Sequence, residues 1–178
     1  MARALSGVVS ADRLTVVVNV GDDDSIYGVH VAADLDTVLY TLAGIEGPHG
    51  WGVTGDTFNV MAEMASRGGD TSFRLGDRDL ATCLHRTDGL RSGKSLATVT
   101  AELSQALGVD PTVIPATNDP LRTRTQRADG SWLSIQDYFV RRQHRDEIST
   151  LEYAGAASAE PTPGLVDAIR NADAVVIA

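Results

Sequence analysis

The sequence predicts a layered α/β domain, and three observations carry that prediction. Residues 14–19 and 174–178 are nearly continuous apolar runs rich in β-branched side chains, as in strands covered on both faces. Between them, four stretches place apolar residues at the spacing of a helix face. Helices alternating with buried strands pack in layers about a sheet, which binds ligands at the carboxyl ends of its strands.

The chain opens on residues 2–9, the end of a helix with Leu5, Val8 and Val9 on one face. The first apolar strand follows, and residues 21–25 mark a loop at its end. Asp34 is placed to cap a helix whose Leu35, Val38, Leu39 and Leu42 fall at i, i+3, i+4 and i+7, with Gly44 as its stop. After the glycine-rich turn 47–52, a second helix starts at Asp56 or Thr57 and ends at Gly68-Gly69. A third begins near Asp77 and ends around Gly89, and a fourth starts at Ser95 with Leu96, Val99, Leu103 and Leu107 inward. Residues 112–115 read as a short strand. Residues 122–127 and 132–140 read as strands flanking a turn at Asp129-Gly130, and residues 151–153 as another strand. A proline-bearing loop, 156–164, leads to a last helix, 165–171, and the final apolar strand.

The chain has 178 residues, 43% of them hydrophobic, and a formal net charge of −9. That length predicts one domain, residues 1–178, able to bury about two-thirds of its unfolded surface. The apolar fraction excludes a disordered chain. No apolar run approaches the roughly 18 residues of a membrane span, and the start lacks the apolar core of a signal peptide. The acidic balance argues against nucleic acid or anionic membrane as partners. A single cysteine, Cys83, fits a reducing, cytoplasmic setting. The basic residues are fourteen Arg and one Lys; this suits bidentate contacts to phosphate and carboxylate, but codon bias in a GC-rich genome is the favoured explanation.

The residues able to carry chemistry gather in a few places. Asn19, Asp22, Asp23 and Asp24 follow the first strand, where adjacent carboxylates can hold Mg²⁺ or simply solvate a strand end. Asp34 and Asp36 open a helix, where spacing alone favours capping, and the second carboxylate could accept hydrogen bonds from a ligand or help bind a metal. Arg74 and Arg78 bracket the start of the third helix, a setting suited to an anion, with Asp77 as its cap. Trp51, between Gly50 and Gly52, either faces an aromatic ligand or anchors its loop to the core. His30, His49, His85 and His144 show no metal-ligand spacing, and Cys83 reads as a core residue. No Walker loop and no G-x-G-x-x-G occurs.

The order and wording of these segments are more specific than any one of them. LTVVVNVGDD at 14–23, GVH at 28–30, DLDTVLY at 34–40, GWG at 50–52, DTF at 56–58 and LGDRDLAT at 75–82 are followed by RT at 86–87, IPA at 114–116, QDYFV at 136–140 and ADA at 172–174. Together they closely resemble the 2-phospho-L-lactate transferase family of coenzyme F-420 biosynthesis. The resemblance implies a Rossmann-like layered fold with a mostly parallel central sheet. It implies a Mg²⁺-dependent transfer of a phospholactyl or phosphoenolpyruvyl group from a guanosine diphosphate adduct. The acceptor would be the ribityl hydroxyl of 7,8-didemethyl-8-hydroxy-5-deazariboflavin, and GMP would leave. Asp36 and Arg74 would contact the deazaflavin. Asp22 and Asp23, with Asn19 beside them, would lie near the donor diphosphate and its metal. Asp36 is the candidate to take the acceptor's proton, and a homodimer is expected.

Family members begin with a strand and a G-G-x-G-G-A-R/K loop, and continue past the last strand with P-S-N-P. Neither segment occurs here, so the expectation is a partial chain lacking its first strand and C-terminal part, with Met1 an internal methionine and one sheet edge open. Two alternatives stand beside the transferase: a non-catalytic nucleotide-sugar-binding regulator of the gluconeogenesis-factor type, and an inactive fragment. The stretch DSIYG at 24–28 is not the glycine/serine-rich run that follows the Asp pair in the regulator family.

Overall fold

The computed structural model describes residues 1–177. Its centre is a parallel pair, β1 (Thr15–Val18) and β4 (Thr112–Pro115), in register from Thr15–Thr112 to Val18–Pro115. The helices α2 (Ala33–Leu42) and α5 (Leu96–Ala106) cover this pair. Val18, Val20, Leu35, Leu39, Val99, Leu103 and Val113 interlock into one core. Ser95 starts α5 as the sequence requires, its Oγ accepting from the Thr98 amide at 3.1 Å. The two faces of β1 are covered unequally: Val18 is buried, whereas Val17 is 42% exposed. The expectation of a strand buried on both faces is corrected there.

A second core joins the hairpin β2 (Asp24–Ile26) and β3 (Val29–Val31) to α3 (Asn59–Ser66) and α4 (Asp77–Arg91). Ile26, Val29, Val31, Met61, Leu75 and Cys83 form it. The sequence reading placed a loop through residue 25 and no hairpin. The two-residue connection Tyr27-Gly28 has positive φ at both positions, 52° and 78°, as a tight hairpin demands. A tyrosine is a poor sign of such a turn. Here its hydroxyl is tied down, donating to Phe73 O at 2.8 Å and accepting from Phe73 N at 3.1 Å.

Helix ends depart from expectation for identifiable reasons. Asp34 does not cap α2, whose N-cap position is Ala32. The second helix starts at Asn59, later than Asp56 or Thr57. The third runs through Gly89 to Arg91, because Gly89 is a contact point rather than a stop: a Cβ there would lie 2.6 Å from Val99 Cγ2 on α5. The first helix, α1 (Ala2–Ser6), is shorter than expected, and Val8 is 81% exposed instead of inward.

The third sheet is antiparallel, with β5 (Arg122–Arg127) between β6 (Trp132–Ser134) and β7 (Ile148–Ala154). The turn at Asp129-Gly130 is present, with Gly130 at φ 83°. The strand expected over 132–140 ends at Ser134, and residues Asp137–Arg141 form a π-helical turn. Ser134 Oγ accepts from Asp137 N at 3.1 Å, and Gln136 Nε2 donates to Asp22 O at 2.8 Å, so the chain folds down onto the acidic loop. After α6 (Leu165–Arg170), residues 174–177 pair with no strand among the described residues, and Val175, Val176 and Ile177 are exposed. The expected last strand is corrected to an unpaired extension, and residue 178 lies outside the described residues. Among the described residues, no helix is long and apolar enough to cross a membrane.

Candidate functional site

The carboxyl end of β1 gathers the acidic residues. Asn19 follows the strand; its Oδ1 accepts from Gly21 N at 2.9 Å, and its Nδ2 donates to Asp34 Oδ2 at 2.8 Å. One side chain therefore shapes the loop and orients the first carboxylate of α2. Burial, and then the charges of Asp22 and Asp23, push the Asp34 carboxyl above the ordinary range, offset in part by the Asn19 bond. Asp22, Asp23 and Asp34 thus share one field. Asp23 is buried, with its Oδ2 2.7 Å from His30 Nε2 and its Oδ1 left without a hydrogen-bond partner. A buried carboxylate oxygen with nothing bound to it is costly. Asp22, Asp23 and Asp34 form no three-ligand cluster among the described residues, so a divalent cation here would rest on Asp22 and Asp23 together with water and ligand oxygens.

Beneath this loop lies a polar core. Asp36 accepts from both terminal nitrogens of Arg86, and both side chains are almost entirely withdrawn from water. Arg86 also donates to His30 O at 3.2 Å, which ties α4 to β3. Burial raises the Asp36 carboxyl against the pull of the Arg86 charge. Tyr40 donates to Asp79 Oδ1 at 2.9 Å, and burial, then Asp36, pushes Asp79 up to about 6. Asp36, Asp79 and Cys83 bring possible ligand atoms within 4.8 Å of one another. This trio is poorly suited to a metal: Arg86 already neutralises Asp36, and burial pushes the Cys83 thiol up to about 12.

Arg74 lies on the loop before α4, exposed, with its guanidinium 4.0 Å above the Phe58 ring. No hydrogen bond or ion pair joins it to the acidic loop among the described residues, so the structure leaves it separate from Asp22 and Asp23. The start of α4 is not an open anion site. The amides of Arg78 and Asp79 already donate to Asp56, at 2.8 and 3.1 Å. Asp77 does not cap its own helix either. It accepts from Asn59 N at 2.9 Å and Val60 N at 3.0 Å, capping α3 from outside. Trp51 is 64% exposed between two glycines at positive φ, so it does not anchor its loop to the core.

Four residues of the site were missed in the sequence: Arg86, Asp56, Gln136 and the pairing partner His30. Arg86 left a signal. Asp79, Cys83 and Arg86 fall at i, i+4 and i+7, so two charged residues share a helix face with a core cysteine.

The family described as 2-phospho-L-lactate transferase CofD matches this chain over residues 1–178. A phosphoenolpyruvate transferase of Kitasatospora aureofaciens is 38% identical over 184 residues, covering 98% of this chain and 57% of its own length. A phosphoenolpyruvate transferase of Mycolicibacterium smegmatis is 39% identical, covering 95% and 54%. A 2-phospho-L-lactate transferase of Methanocaldococcus jannaschii is 35% identical, covering 99% and 58%. The chain therefore spans a little over half the length of these relatives. A crystal structure of a UPF0052-family protein from Bacillus halodurans superposes with a TM-score of 0.56 at 18% identity, over 97% of this chain and 52% of that one. A second structure of a Bacillus halodurans protein gives 0.59 at 19%, with the same coverage. These two likenesses support the α/β fold. With the matched family and its relatives spanning nearly every residue, the chain belongs to the 2-phospho-L-lactate transferase family.

Proposed function

We propose that the chain acts in coenzyme F-420 biosynthesis, transferring a phospholactyl or phosphoenolpyruvyl group from a guanosine diphosphate adduct to the ribityl hydroxyl of 7,8-didemethyl-8-hydroxy-5-deazariboflavin. The observation that carries this reading is the acidic loop at residues 19–23 at the carboxyl end of β1, with one buried Asp23 oxygen unpartnered among the described residues. The relatives named as transferases, at 35–39% identity, favour it over the nucleotide-sugar-binding alternative.

In this reading the acceptor oxygen forms a bond to the phosphorus that bears the acid. The bond from that phosphorus to the oxygen of GMP breaks, and GMP leaves. Asp22 and Asp23 would hold Mg²⁺, which when bound neutralises diphosphate charge. Asn19 keeps the loop and Asp34 in place for that task. Asp36 and Arg74 serve the deazaflavin. Asp36 is proposed to receive the hydroxyl proton, which requires the acceptor to displace one of the two Arg86 bonds that engage its oxygens. A cytoplasmic homodimer completes the proposal.

The test incubates the chain with the guanosine diphosphate-linked donor, the deazaflavin and MgCl₂, and analyses the products by mass spectrometry. The reading expects the phosphodiester product and GMP in equal amounts, both abolished by EDTA. GMP released with no phosphodiester, or no turnover from folded protein, contradicts it.

A further inference from the structure

We infer that Arg122 and Arg124 form the wall of a separate anion subsite beside the acidic loop, which takes the phosphate or carboxylate of the small phosphorylated acid being transferred. The inference rests on the transferase reading and adds the residues that would recognise the acid. A cleft of about 280 Å³ lies between the acidic loop and the β5–β6 hairpin, lined by Asp23, Arg122, Arg124, Trp132 and Ser134 among others. Its size suits a small acid better than a nucleoside or a three-ring flavin.

Strand alternation builds the wall. Thr123 and Thr125 are buried on one face of β5, which turns Arg122 and Arg124 to the other. Ser134 stands opposite Arg124 in register, and Trp132 opposite Gln126, on that same face. The Arg124 guanidinium lies 4.9 Å over the Trp132 ring, which limits its orientation. Its one ion-pair partner among the described residues, Glu152, is 3.8 Å away and about half exposed. Arg122 donates to Leu121 O at 2.6 Å and has no carboxylate within ion-pair distance among the described residues. Asp23 and Asp24 also line the cleft, but neither lies within ion-pair distance of Arg122 among the described residues, which leaves its guanidinium available to an anion.

The floor is held to the wall. Thr123 N donates to Gly21 O at 2.6 Å, and Gln136 Nε2 donates to Asp22 O at 2.8 Å. The Asp23 carboxylate, with one oxygen on His30 and the other unpartnered among the described residues, therefore lines the same cleft as the two arginines. An acid seated on the arginine fork would lie next to the residues proposed to hold the diphosphate. The larger cleft, about 530 Å³ at Arg141, Arg142 and Arg145, makes a weaker candidate, since Arg141 and Arg142 are paired with Asp137 and Asp146.

Calorimetric titration of phosphoenolpyruvate, inorganic phosphate and pyruvate into the full chain tests the subsite. Saturable phosphoenolpyruvate binding is expected, and losing two charge-assisted contacts in the Arg122→Gln/Arg124→Gln variant should weaken it at least about tenfold. Arg145→Gln should leave it unchanged. Binding of phosphate alone would assign the fork to the phosphate, and binding of pyruvate alone to the carboxylate. Absence of saturable binding by the wild-type chain, equal binding by the folded double variant, or an equal loss in Arg145→Gln overturns the inference. A deazaflavin titration on the same samples separates the two claims. Deazaflavin bound without phosphoenolpyruvate removes the subsite and keeps the transferase; the reverse keeps an acid site and removes the transferase.

Discussion

Asp36 and Arg86 lie 50 residues apart in the chain and form a bidentate ion pair with neither side chain open to water. The pair locks α2 against α4 directly beneath the acidic loop, and through His30 O it also fixes β3. Removing one partner of such a pair strands the other as a buried charge. Arg86→Met should therefore destabilise the fold by about 3–5 kcal/mol, read by urea denaturation. The Asp36→Asn/Arg86→Met double variant should lose less than the sum of the single variants. Additive losses would show that the two side chains do not act as a pair.

Asp79 faces Tyr40, Asp36, Asp56 and Arg86, and its folded-state carboxyl is pushed up to about 6 from an ordinary 3.8. The folded state thus favours its protonated form. Its contribution is full below the ordinary value and is lost as pH rises through about 6. Asp79→Asn, which keeps an acceptor for Tyr40, should be about 1–2 kcal/mol more stable than wild type at pH 8 and nearly equal to it at pH 4. Thermal melts at the two pH values check this, and an equal difference at both would refute it.

Asp56, in the loop before α3, accepts from the first amides of α4, and Asp77, in α4, accepts from the first amides of α3. Asp56→Ala should cost about 1 kcal/mol. Asp77 is held down to about 2, first by the Thr57 hydroxyl and then by the Val60 amide. Its contribution is present above the ordinary carboxyl range and lost as pH falls through about 2. Asp77→Ala should lower the melting temperature at pH 7 and approach wild type near pH 2. A gap that persists at pH 2 would mean the cap does not depend on charge.

Gly21 sits where the acidic loop meets β5, and a Cβ there would lie 2.8 Å from Thr123 Oγ1 and 3.1 Å from Asn19 Oδ1. Gly21→Ala should therefore cost about 1–3 kcal/mol and weaken Mn²⁺ binding measured by electron paramagnetic resonance. Unchanged Mn²⁺ affinity would separate the loop's geometry from metal binding.

What the sequence made legible was local. The Ser95 cap, the apolar stripe of α5, the strand at Thr112–Pro115 and the Asp129-Gly130 turn each depend on neighbours within a few residues. What it hid was long-range. The Tyr27-Gly28 turn is permitted by a tyrosine hydroxyl bound 46 residues away. The alternating run at 132–140 looked like a strand, but Gln136 reaches across 114 residues to Asp22 and turns it. At the site, the acidic loop could be found from composition, whereas the partners Arg86 and His30 are defined only once β3 and α4 pack.

The most direct test of the transferase account is a fluorescence titration of the deazaflavin into the folded chain with Mg²⁺, run beside Arg74→Ala and Asp36→Asn. The account predicts saturable binding that Arg74→Ala weakens with circular dichroism unchanged, and that Asp36→Asn weakens at a temperature where its less stable fold is still intact. Absence of binding by the folded wild-type chain, or affinity unaltered by both substitutions, would contradict it.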